Sequence, residues 1–430
     1  MKLIVIGCGA AGATAAQFAR KNDRRAEIKV FEGGKYPQYS KCALPYIISG
    51  ETPPDFIIEF NEEWFRKAKI DLHLNTAVSS IDFNARIVKS SEGSEEYDAL
   101  IIATGASPFS PVEPRGKTYF LRSLDDALAI RKEAKNSNKA VIIGAGLIGL
   151  EAAEALKKIG IDVTIVEFLP DILLTMVDND IASIIRKKIE GKANMFFSRR
   201  VTEINESSQM EVIAVDKEGK ENVFQGDFVI VATGNRPNIG LVESKADDVD
   251  KAITVNERCE TSIENVYAVG DCTQYRDILG NDNVVGLGSV AVRQGMVAGA
   301  NAVGGDEKML PLVNARATKV FDVEMAAVGP LSRYIQSNSV TGKFKGSSLP
   351  EYLDGEDVFV KVCADENGKI IAAQAVGPEA AQRINKFSLA IHCGLTLEQF
   401  LHAETAYAPY LAPIIDTSTL ACEIANRKVK

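Results

Sequence analysis

The stretch KLIVIGCGAAG at residues 2–12 decides the fold of the first part of the chain. A short apolar strand runs into a turn with three glycines at fixed offsets, and an alanine-rich helical run follows the turn. A second strand, EIKVFE, then ends at Glu32. Strand, glycine turn, helix and strand with a terminal acid make up the βαβ unit that binds dinucleotides.

The same pattern returns at residues 139–149, KAVIIGAGLIG, and its second strand, DVTIVE, ends at Glu167. In both copies the first glycine permits the tight turn, the second lets backbone approach a pyrophosphate, and the third lets helix and strand pack closely. The phosphates then lie at the positive N-terminus of the helix, and the acid accepts hydrogen bonds from the ribose hydroxyls. Two dinucleotides in one chain predict electron transfer between a flavin and a nicotinamide.

Glu167 also predicts which nicotinamide dinucleotide is used. A carboxylate accepts a hydrogen bond from the 2′-hydroxyl of NADH and repels the 2′-phosphate of NADPH. Phe168 follows it, where an arginine would favour the phosphate. We therefore expect NADH to be preferred over NADPH.

Later motifs complete the two nucleotide domains. YDALIIATGASP at 97–108 and GDFVIVATGNRPN at 226–238 are apolar strands that end in Ala-Thr-Gly, and each closes the domain opened by its own glycine turn. NVYAVGDC delivers Gly270 and Asp271 to a turn, where the carboxylate can accept hydrogen bonds from a polyol chain. From about residue 311, strand-like segments followed by helical ones carry no nucleotide motif, which predicts a third, α+β domain.

The composition is that of a large globular protein, with 430 residues, 46% hydrophobic residues and a net charge of −9. Because no run of Lys and Arg and no apolar run of about 20 residues occurs, we expect no nucleic-acid or membrane partner and a cytoplasmic location. The seven cysteines contain no C-x-x-C pair and only three histidines are present, which argues against a disulfide framework and a metal site. Any thiol chemistry therefore uses a single cysteine.

Taken together, these motifs resemble the pyridine nucleotide–disulfide oxidoreductases over the whole length of the chain. The resemblance is carried by GCGAAG, FE at 31–32, CALPY at 42–46, ATG at 103–105, GAGLIGLE, ATGNRPN, NVYAVGDC and AYAPYLAPIID. Their order and spacing are similar to the single-cysteine branch of that family, which contains coenzyme A-disulfide reductases, NADH oxidases, NADH peroxidases and persulfide reductases.

The resemblance implies an α/β fold with two Rossmann-like dinucleotide-binding domains and a C-terminal α+β dimerisation domain. It assigns residues 1–110 and 243–310 to the FAD-binding domain, 111–242 to the NAD(P)H-binding domain and 311–430 to the dimerisation domain. It also implies a homodimer in which the partner's C-terminal domain completes the active site.

Cys42 lies in YSKCALPYIISG, where a helix is predicted to begin. The resemblance implies that it lies beside the flavin ring as the redox-active thiol. A helix N-terminus lowers a thiol pKa, and Lys41 adds to the stabilisation of the thiolate. The alternative is a buried, inert cysteine, which is our interpretation of Cys8 and Cys272.

Three positions depart from the commonest pattern of the family. Gln38 stands where a serine is usual, and Ala43 stands where a glycine follows the cysteine. Ala10 stands where peroxidases and many oxidases of this group carry a histidine, which disfavours a peroxidase that acts through that histidine. The departures weaken inference about the substrate but not about the thiol.

Other candidates follow from the resemblance alone. Tyr407, in AYAPY, matches a tyrosine that reaches the opposite subunit's thiol in coenzyme A-disulfide reductases, where a phenol can donate a proton to a departing thiolate. Tyr352 is the candidate for a second such tyrosine. The alternative for Tyr407 is a core or interface tyrosine. Arg20 and Lys21 match a basic pair that approaches the phosphates of coenzyme A, and their alternative is a solvated helix face.

The predicted catalytic residues are thus Cys42, Tyr407 and Tyr352, and no metal ligand is expected. The residues predicted to bind FAD and NADH are Gly7, Gly9, Ala10, Ala11, Gly12, Glu32, Gly33, Lys41, Cys42, Val78, Ala103, Thr104, Gly105, Arg122, Gly144, Gly146, Leu147, Ile148, Gly149, Glu167, Gly234, Gly270 and Asp271.

Four functions are open. The one we favour is NADH-dependent reduction of coenzyme A disulfide, or of a related per- or polysulfide, through a mixed disulfide on Cys42. The second is an NADH oxidase that reduces O2 to H2O2 or to water. The third is a reductase that passes electrons from FAD to a small electron-transfer protein without needing Cys42, and the fourth is a flavin-binding protein without enzymatic activity.

Overall fold

The computed structural model describes residues 1–242, 251–335 and 338–429. The predicted start of the second FAD-domain segment, residue 243, lies in the stretch 243–250, outside the described residues. Residues 336, 337 and 430 of the predicted third domain also lie outside them.

The chain forms two compact units. Unit 1 comprises Met1–Phe109, Arg122–Leu128 and Gly234–Leu312. Unit 2 comprises Ser110–Leu121, Ala129–Thr233 and Val313–Lys430. Each unit contains one of the two glycine turns.

The first half of the chain alternates strands and helices. Residues 1–109 contain β1 (Lys2–Ile6), β2 (Glu27–Phe31), β3 (Gln38–Tyr39), β4 (Ile58–Phe60), β5 (Asp71–His73), β6 (Val78–Asp82), β7 (Ile87–Ser90), β8 (Gly93–Glu96), β9 (Ala99–Ile102) and β10 (Ala106–Pro108), with α1 (Ala10–Asn22), α2 (Leu44–Ser49) and α3 (Glu62–Lys67). Residues 110–233 contain β11 (Thr118–Phe120), β12 (Lys139–Ile143), β13 (Asp162–Val166), β14 (Asn194–Phe196), β15 (Arg200–Glu206), β16 (Met210–Val215), β17 (Glu221–Gly226) and β18 (Phe228–Val231), with α4 (Leu124–Ala134), α5 (Leu147–Lys158) and α6 (Asn179–Lys188).

The second half returns to unit 1 and then completes unit 2. Residues 234–312 contain β19 (Asn235–Pro237), β20 (Ile253–Thr254), β21 (Val266–Ala268), β22 (Thr273–Arg276), β23 (Asp282–Val284) and α7 (Gly288–Asn301). The remaining residues contain β24 (Arg316–Val320), β25 (Val323–Val328), β26 (Val340–Ser347), β27 (Asp357–Ala364) and β28 (Ile370–Val376), with α8 (Ala380–His392), α9 (Leu397–Leu401) and α10 (Thr417–Asn426).

Unit 1 is built on a parallel sheet with the strand order β21-β9-β1-β2-β5. β1 and β9 are apolar because parallel strands are covered on both faces, and Leu3 and Ile101 are completely buried in them. The alanines of α1 pack along α7 in the same core. At Gly299 of α7 a side chain would clash with the backbone of Ala15, so only glycine permits this close approach of the two helices.

Unit 2 contains a second parallel sheet, β11-β18-β12-β13-β14, and an antiparallel sheet, β24-β25-β28-β27-β26. α5 follows β12 in the second βαβ unit, and α8 and α10 pack on the antiparallel sheet. A lysine, Lys361, is buried in β27, where it pairs with Asp178 at 2.7 Å and Asp180 at 3.0 Å. We call these three residues the buried ion cluster.

The two parallel sheets and the antiparallel sheet confirm the predicted fold class of two Rossmann-like domains with a C-terminal α+β part. The residue boundaries of the three domains stay a prediction, and unit 1 takes in Arg122–Leu128 from inside the predicted NAD(P)H-binding domain. No helix in the described part of the chain is long and apolar enough to cross a membrane.

Candidate active site

The two glycine turns have the same backbone geometry. Gly7 has φ +102° and Gly144 has φ +108°, a region in which residues with a side chain are strained. α1 and α5 begin after extended N-cap residues, Gly9 and Gly146, with φ −71° and −78°. Neither N-cap has a side chain that could cap the first amides of its helix, so these N–H groups are available to an anion.

The space available for a Cβ atom distinguishes glycines needed for packing from glycines that leave room for a ligand. A Cβ at Gly12 would clash with the carbonyl of Gly7, and a Cβ at Gly149 would clash with the carbonyl of Gly144. At Gly9 and Gly146 a Cβ would meet no atom within 4 Å. Open space over the second glycine, beside exposed amides, is what the close approach of a pyrophosphate requires, so both turns fit a dinucleotide.

The two terminal acids are held in matching positions. The carboxylate of Glu32 accepts hydrogen bonds from the amide of Cys8 at 2.7 Å and the amide of Gly34 at 2.7 Å. The carboxylate of Glu167 accepts from Ala145 at 2.5 Å and from Leu169 at 2.7 Å. Each acid therefore lies beside its own glycine turn, where the ribose of a dinucleotide would reach it.

The Ala-Thr-Gly segment at 103–105 is fixed by a residue that the sequence analysis did not single out. The side-chain amide of Asn238 donates to the backbone carbonyl of Thr104 at 2.9 Å, and the backbone carbonyl of Asn238 accepts from the Thr104 hydroxyl at 2.7 Å. The backbone amide of Asn238 donates to the carbonyl of Gly105. The segment ATGNRPN, in which Asn238 follows Pro237, was the available signal.

The Gly270-Asp271 turn is held from two sides. Arg122 donates to the carboxylate of Asp271 at 2.7 Å and to the carbonyl of Ala106 at 3.0 Å. The amide of Gly270 donates at 2.7 Å to the side chain of Gln294, which is completely buried in α7. The sequence predicted Asp271 and Arg122 as binding residues but gave no signal for Gln294.

Cys42 lies in a 3-10 turn, Lys41–Ala43, directly before α2. The predicted helix thus begins two residues after the thiol. Among the four cysteines of unit 1, all within the described residues, Cys42 alone is exposed. Burial raises the pKa of Cys8 and of Cys272, which makes both poor nucleophiles. Their interpretation as inert space-fillers agrees with this burial.

Lys41 is exposed to solvent in the 3-10 turn that carries Cys42. Desolvation and the nearby Arg122 guanidinium hold its pKa below that of an ordinary lysine. Glu32 and Asp271 oppose this effect, so Lys41 lies within electrostatic range of both acids that the sequence assigned to the FAD. The ammonium is therefore positioned among the predicted FAD ligands, and Lys41 directly precedes Cys42 in the chain.

Gln38, one of the departures from the family pattern, is buried in β3. Its side-chain amide donates to Glu59 at 2.9 Å. Val78 starts β6 and packs against a cluster of buried residues that includes Ile6 and Ile102 of the parallel sheet.

Tyr352 and Tyr407 meet in unit 2, although 55 residues separate them. Their hydroxyls lie 3.3 Å apart, and both side chains are exposed. The hydrogen bond with Tyr407 raises the pKa of Tyr352. The two phenols therefore form a pair that can share and pass a proton.

The basic pair of α1 has other partners within unit 1. The guanidinium of Arg20 donates to the carbonyls of Ala68 and Lys69 at 3.0 and 2.7 Å. The ammonium of Lys21 lies 4.3 Å from the ring centre of Phe18. The coenzyme A contacts predicted for this pair stay a prediction.

In the described residues no group of three or more His, Cys, Asp or Glu side chains is placed to hold a metal ion. The predicted residues divide between the units as follows: Gly7, Gly9, Ala10, Ala11, Gly12, Glu32, Gly33, Lys41, Cys42, Val78, Ala103, Thr104, Gly105, Arg122, Gly234, Gly270 and Asp271 lie in unit 1, whereas Gly144, Gly146, Leu147, Ile148, Gly149, Glu167, Tyr352 and Tyr407 lie in unit 2.

Comparison with known proteins agrees with this arrangement. The signature of the pyridine nucleotide-disulphide oxidoreductases matches residues 1–295, and the signature of the dimerisation domain of the same family matches residues 316–419. The chain belongs to the pyridine nucleotide-disulphide oxidoreductase family. It is accordingly an NAD(P)H-dependent oxidoreductase with flavin and nicotinamide cofactors and a dimerisation domain.

Several members of the family are similar to this chain over most of their length. A protein of Methanocaldococcus jannaschii named NADH oxidase is 36% identical over all of this chain and 99% of its own. A Pyrococcus horikoshii protein named NAD(P)H coenzyme A polysulfide/persulfide reductase is 32% identical over 96% of each chain. The solved structure of an NAD-dependent persulfide reductase from A. fulgidus is 33% identical and superposes with a TM-score of 0.94, covering 100% of this chain and 83% of that one.

Proposed function

We propose that this protein is an NADH-dependent reductase of coenzyme A disulfide, or of a related per- or polysulfide, with Cys42 as its redox-active thiol. The observation that carries the proposal is the contrast among the cysteines of unit 1. Cys42 is exposed next to Lys41, whereas Cys8, Cys259 and Cys272 are buried. A reactive thiolate needs access, which Cys42 has, and a cation, which the adjacent residue Lys41 supplies in this proposal.

The residues of unit 1 would hold FAD as follows. The amides at the start of α1 take the pyrophosphate, Glu32 takes the ribose and Asp271, held by Arg122, takes the ribityl chain. When bound, FAD supplies two-electron transfer between NADH and the thiol. In unit 2 the start of α5 and Glu167 bind NADH. NADH suits this carboxylate because it has a 2′-hydroxyl where NADPH has a 2′-phosphate.

The chemistry at Cys42 is thiol–disulfide exchange. Its thiolate attacks one sulfur of the coenzyme A disulfide, which breaks the S–S bond, releases one coenzyme A thiolate and leaves a mixed disulfide. Two electrons from NADH then cleave the mixed disulfide, release the second coenzyme A thiolate and restore the Cys42 thiolate. In total, one NADH and one proton convert one disulfide to two thiols and NAD+.

The protons for the departing thiolates come from the tyrosine pair in this proposal. We infer a homodimer in which the partner subunit's Tyr407, supported by Tyr352, donates to the leaving sulfur. The dimerisation signature at 316–419 contains both tyrosines and supports this assignment. The proposal also includes binding of the coenzyme A phosphates by Arg20 and Lys21. It includes a cytoplasmic location of the protein.

The test is anaerobic NADH oxidation by the purified protein, with and without coenzyme A disulfide. We expect turnover that depends on the disulfide, its loss in Cys42→Ser, and full activity in Cys393→Ser, a control at an exposed cysteine of unit 2. Full activity in Cys42→Ser would contradict the proposal and favour transfer to a small redox protein.

An NADH oxidase is the second candidate, because the M. jannaschii relative carries that name. It predicts no anaerobic turnover with the disulfide, but rapid consumption of NADH in air. Measurement of H2O2 then shows whether oxygen is reduced by two electrons or by four.

A further inference from the structure

Arg316 is an arginine without an acidic partner in the described part of the chain. It lies near the start of β24, and its guanidinium donates to two carbonyls, Thr175 at 2.9 Å and Asn314 at 3.3 Å. The side chain is half-buried, and partial desolvation by the surrounding protein lowers its pKa. A partly desolvated cation without a counter-charge is costly to keep, which makes Arg316 a candidate for binding an anion.

Glu151 of α5, which contacts the same strand as Arg316, is bound to a neutral hydroxyl. Glu151 accepts a hydrogen bond from the hydroxyl of Thr318 at 2.6 Å. Burial raises the pKa of Glu151, which favours the neutral carboxyl group. Glu151 is thus engaged with Thr318, and no ion pair joins it to Arg316 in the described part of the chain.

Two chains of contacts lead from Arg316 to the second glycine turn. Its partner Thr175 lies two residues after Leu173, whose amide donates to the carbonyl of Ala145 in that turn at 3.0 Å. On β24, Thr318 lies two residues beyond Arg316, about 7 Å along the strand, and binds α5 one turn after its first residue, Leu147. Arg316 thus lies on the strand that packs against α5, two residues from the contact with Glu151, and its guanidinium binds the loop that contacts the glycine turn.

We propose that Arg316 is a further binding residue for the nicotinamide dinucleotide, and that its guanidinium contacts the pyrophosphate held at the N-terminus of α5. The proposal rests on the assignment of NADH to unit 2. An arginine suits this role because its planar donors form paired hydrogen bonds with phosphate oxygens. Part of its donors already bind Thr175 and Asn314, which fixes the orientation of the guanidinium before the nucleotide arrives.

The chain offers a matched control. Arg333 donates to the carbonyl of Leu174, next to Thr175, at 3.2 Å. Arg333 is exposed to solvent and stacks near the ring of Tyr334, so it is not a desolvated cation. Arg333→Met removes the same charge and a similar hydrogen bond from the same loop without affecting the proposed phosphate contact.

The experiment measures anaerobic reduction of the bound flavin by rapid mixing over a range of NADH concentrations. Arg316→Met is expected to raise the apparent Kd for NADH roughly ten-fold or more, because one hydrogen bond between charged groups is lost. The limiting rate and the flavin content should stay unchanged. Arg316→Lys is expected to recover part of the affinity, and Arg333→Met to match the wild type. An unchanged Kd in Arg316→Met overturns the proposal.

Fragments of the nucleotide identify the group that is bound. ADP-ribose carries the pyrophosphate and adenosine does not, so Arg316→Met should weaken binding of ADP-ribose alone in calorimetry. Equal weakening of both overturns the proposal in favour of a structural role for the loop, and a loss confined to NADPH reassigns Arg316 to the 2′-phosphate. If NADH does not reduce the wild-type flavin, the proposed function fails, while the calorimetry still decides the role of Arg316.

Discussion

Replacement of Lys361 by methionine tests the buried ion cluster of unit 2. The Lys361 side chain is 7% exposed and that of Asp178 is 11% exposed, so this pair is shielded from water. Removal of one partner from a buried pair costs about 3–5 kcal/mol, because a charge is left without compensation. Asp178 keeps hydrogen bonds from Ser332 at 2.6 Å and Gln374 at 2.8 Å, so we expect the lower end, about 3 kcal/mol.

The size of unit 2 converts this loss into a melting shift. In a cooperative unit of about 150–250 residues, 1 kcal/mol lowers the Tm by about 2–4 °C, so Lys361→Met should lower it by about 6–12 °C. Urea unfolding followed by far-UV circular dichroism measures the free energy of unfolding. Fluorescence is unsuitable, since the single tryptophan, Trp64, lies in unit 1.

The effect should depend on pH in a defined direction. Burial opposes the ionisation of Asp178, but the hydrogen bonds from Lys361 and Ser332 outweigh it and hold the pKa of Asp178 below its usual range. The stabilisation by this carboxylate is therefore complete above the ordinary pKa of about 4 and is lost as the pH falls through the lowered value. The pKa of Lys361 is raised by its two aspartates against desolvation, so its contribution persists up to the usual lysine range. The difference between variant and wild type should be greatest from about pH 5 to 9 and shrink in acid.

A control on the neighbouring strand distinguishes the effect of losing a buried ion pair from that of losing a lysine charge. Lys345 pairs with Asp357 at 2.8 Å, but their side chains are 63% and 57% exposed, so Lys345→Met should cost less than about 1 kcal/mol. A loss in Lys361→Met that is no larger than in Lys345→Met would refute the reasoning.

Three further changes have definite expected outcomes. Gly12→Ala places a Cβ against the carbonyl of Gly7, so the purified variant should lack bound flavin by absorbance, and a normally yellow protein would contradict the close packing of this turn. Tyr407→Phe removes the hydrogen bond that raises the pKa of Tyr352, so an ultraviolet titration should show the pKa of Tyr352 fall toward its ordinary value, with disulfide turnover reduced about 10²-fold or more. Glu95→Gln breaks pairs with two lysines that lower the pKa of Glu95 to about 2; the loss of about 1 kcal/mol expected at pH 7 should fade between about pH 4 and 2, and a loss that is constant with pH would exclude this electrostatic cause.

The glycine turns and their sheets were predictable because their determinants are local. Gly7, Gly12 and Glu32 act through backbone conformation and short offsets along the chain. The continuous apolar residues of the strands indicate that the strands are buried. The same holds for the second copy around Gly144 and Glu167. Both copies fold in the way that the offsets indicate.

The residues that the sequence did not reveal act over long separations. Asn238 fixes Thr104 across 134 residues, and Gln294 binds Gly270 from a helix that reads as ordinary core. Gln294 lies in no motif, and the motif ATGNRPN marks Asn238 without showing which segment its side chain binds. Lys41 was predicted as a cation near the thiol, but its lowered pKa comes from enclosure and from Arg122, which only the folded chain brings close.

The contact between α1 and α7 has a consequence for synthesis of the protein on the ribosome. The first segment of unit 1 ends at Phe109, but the helix that covers α1 ends only at Asn301. Roughly 190 residues must therefore be translated before unit 1 can close, which takes about 10–40 s at usual elongation rates. During that interval the nascent alanine face of α1 lacks its cover, and the Gly270-Asp271 turn lacks the Gln294 side chain that holds it.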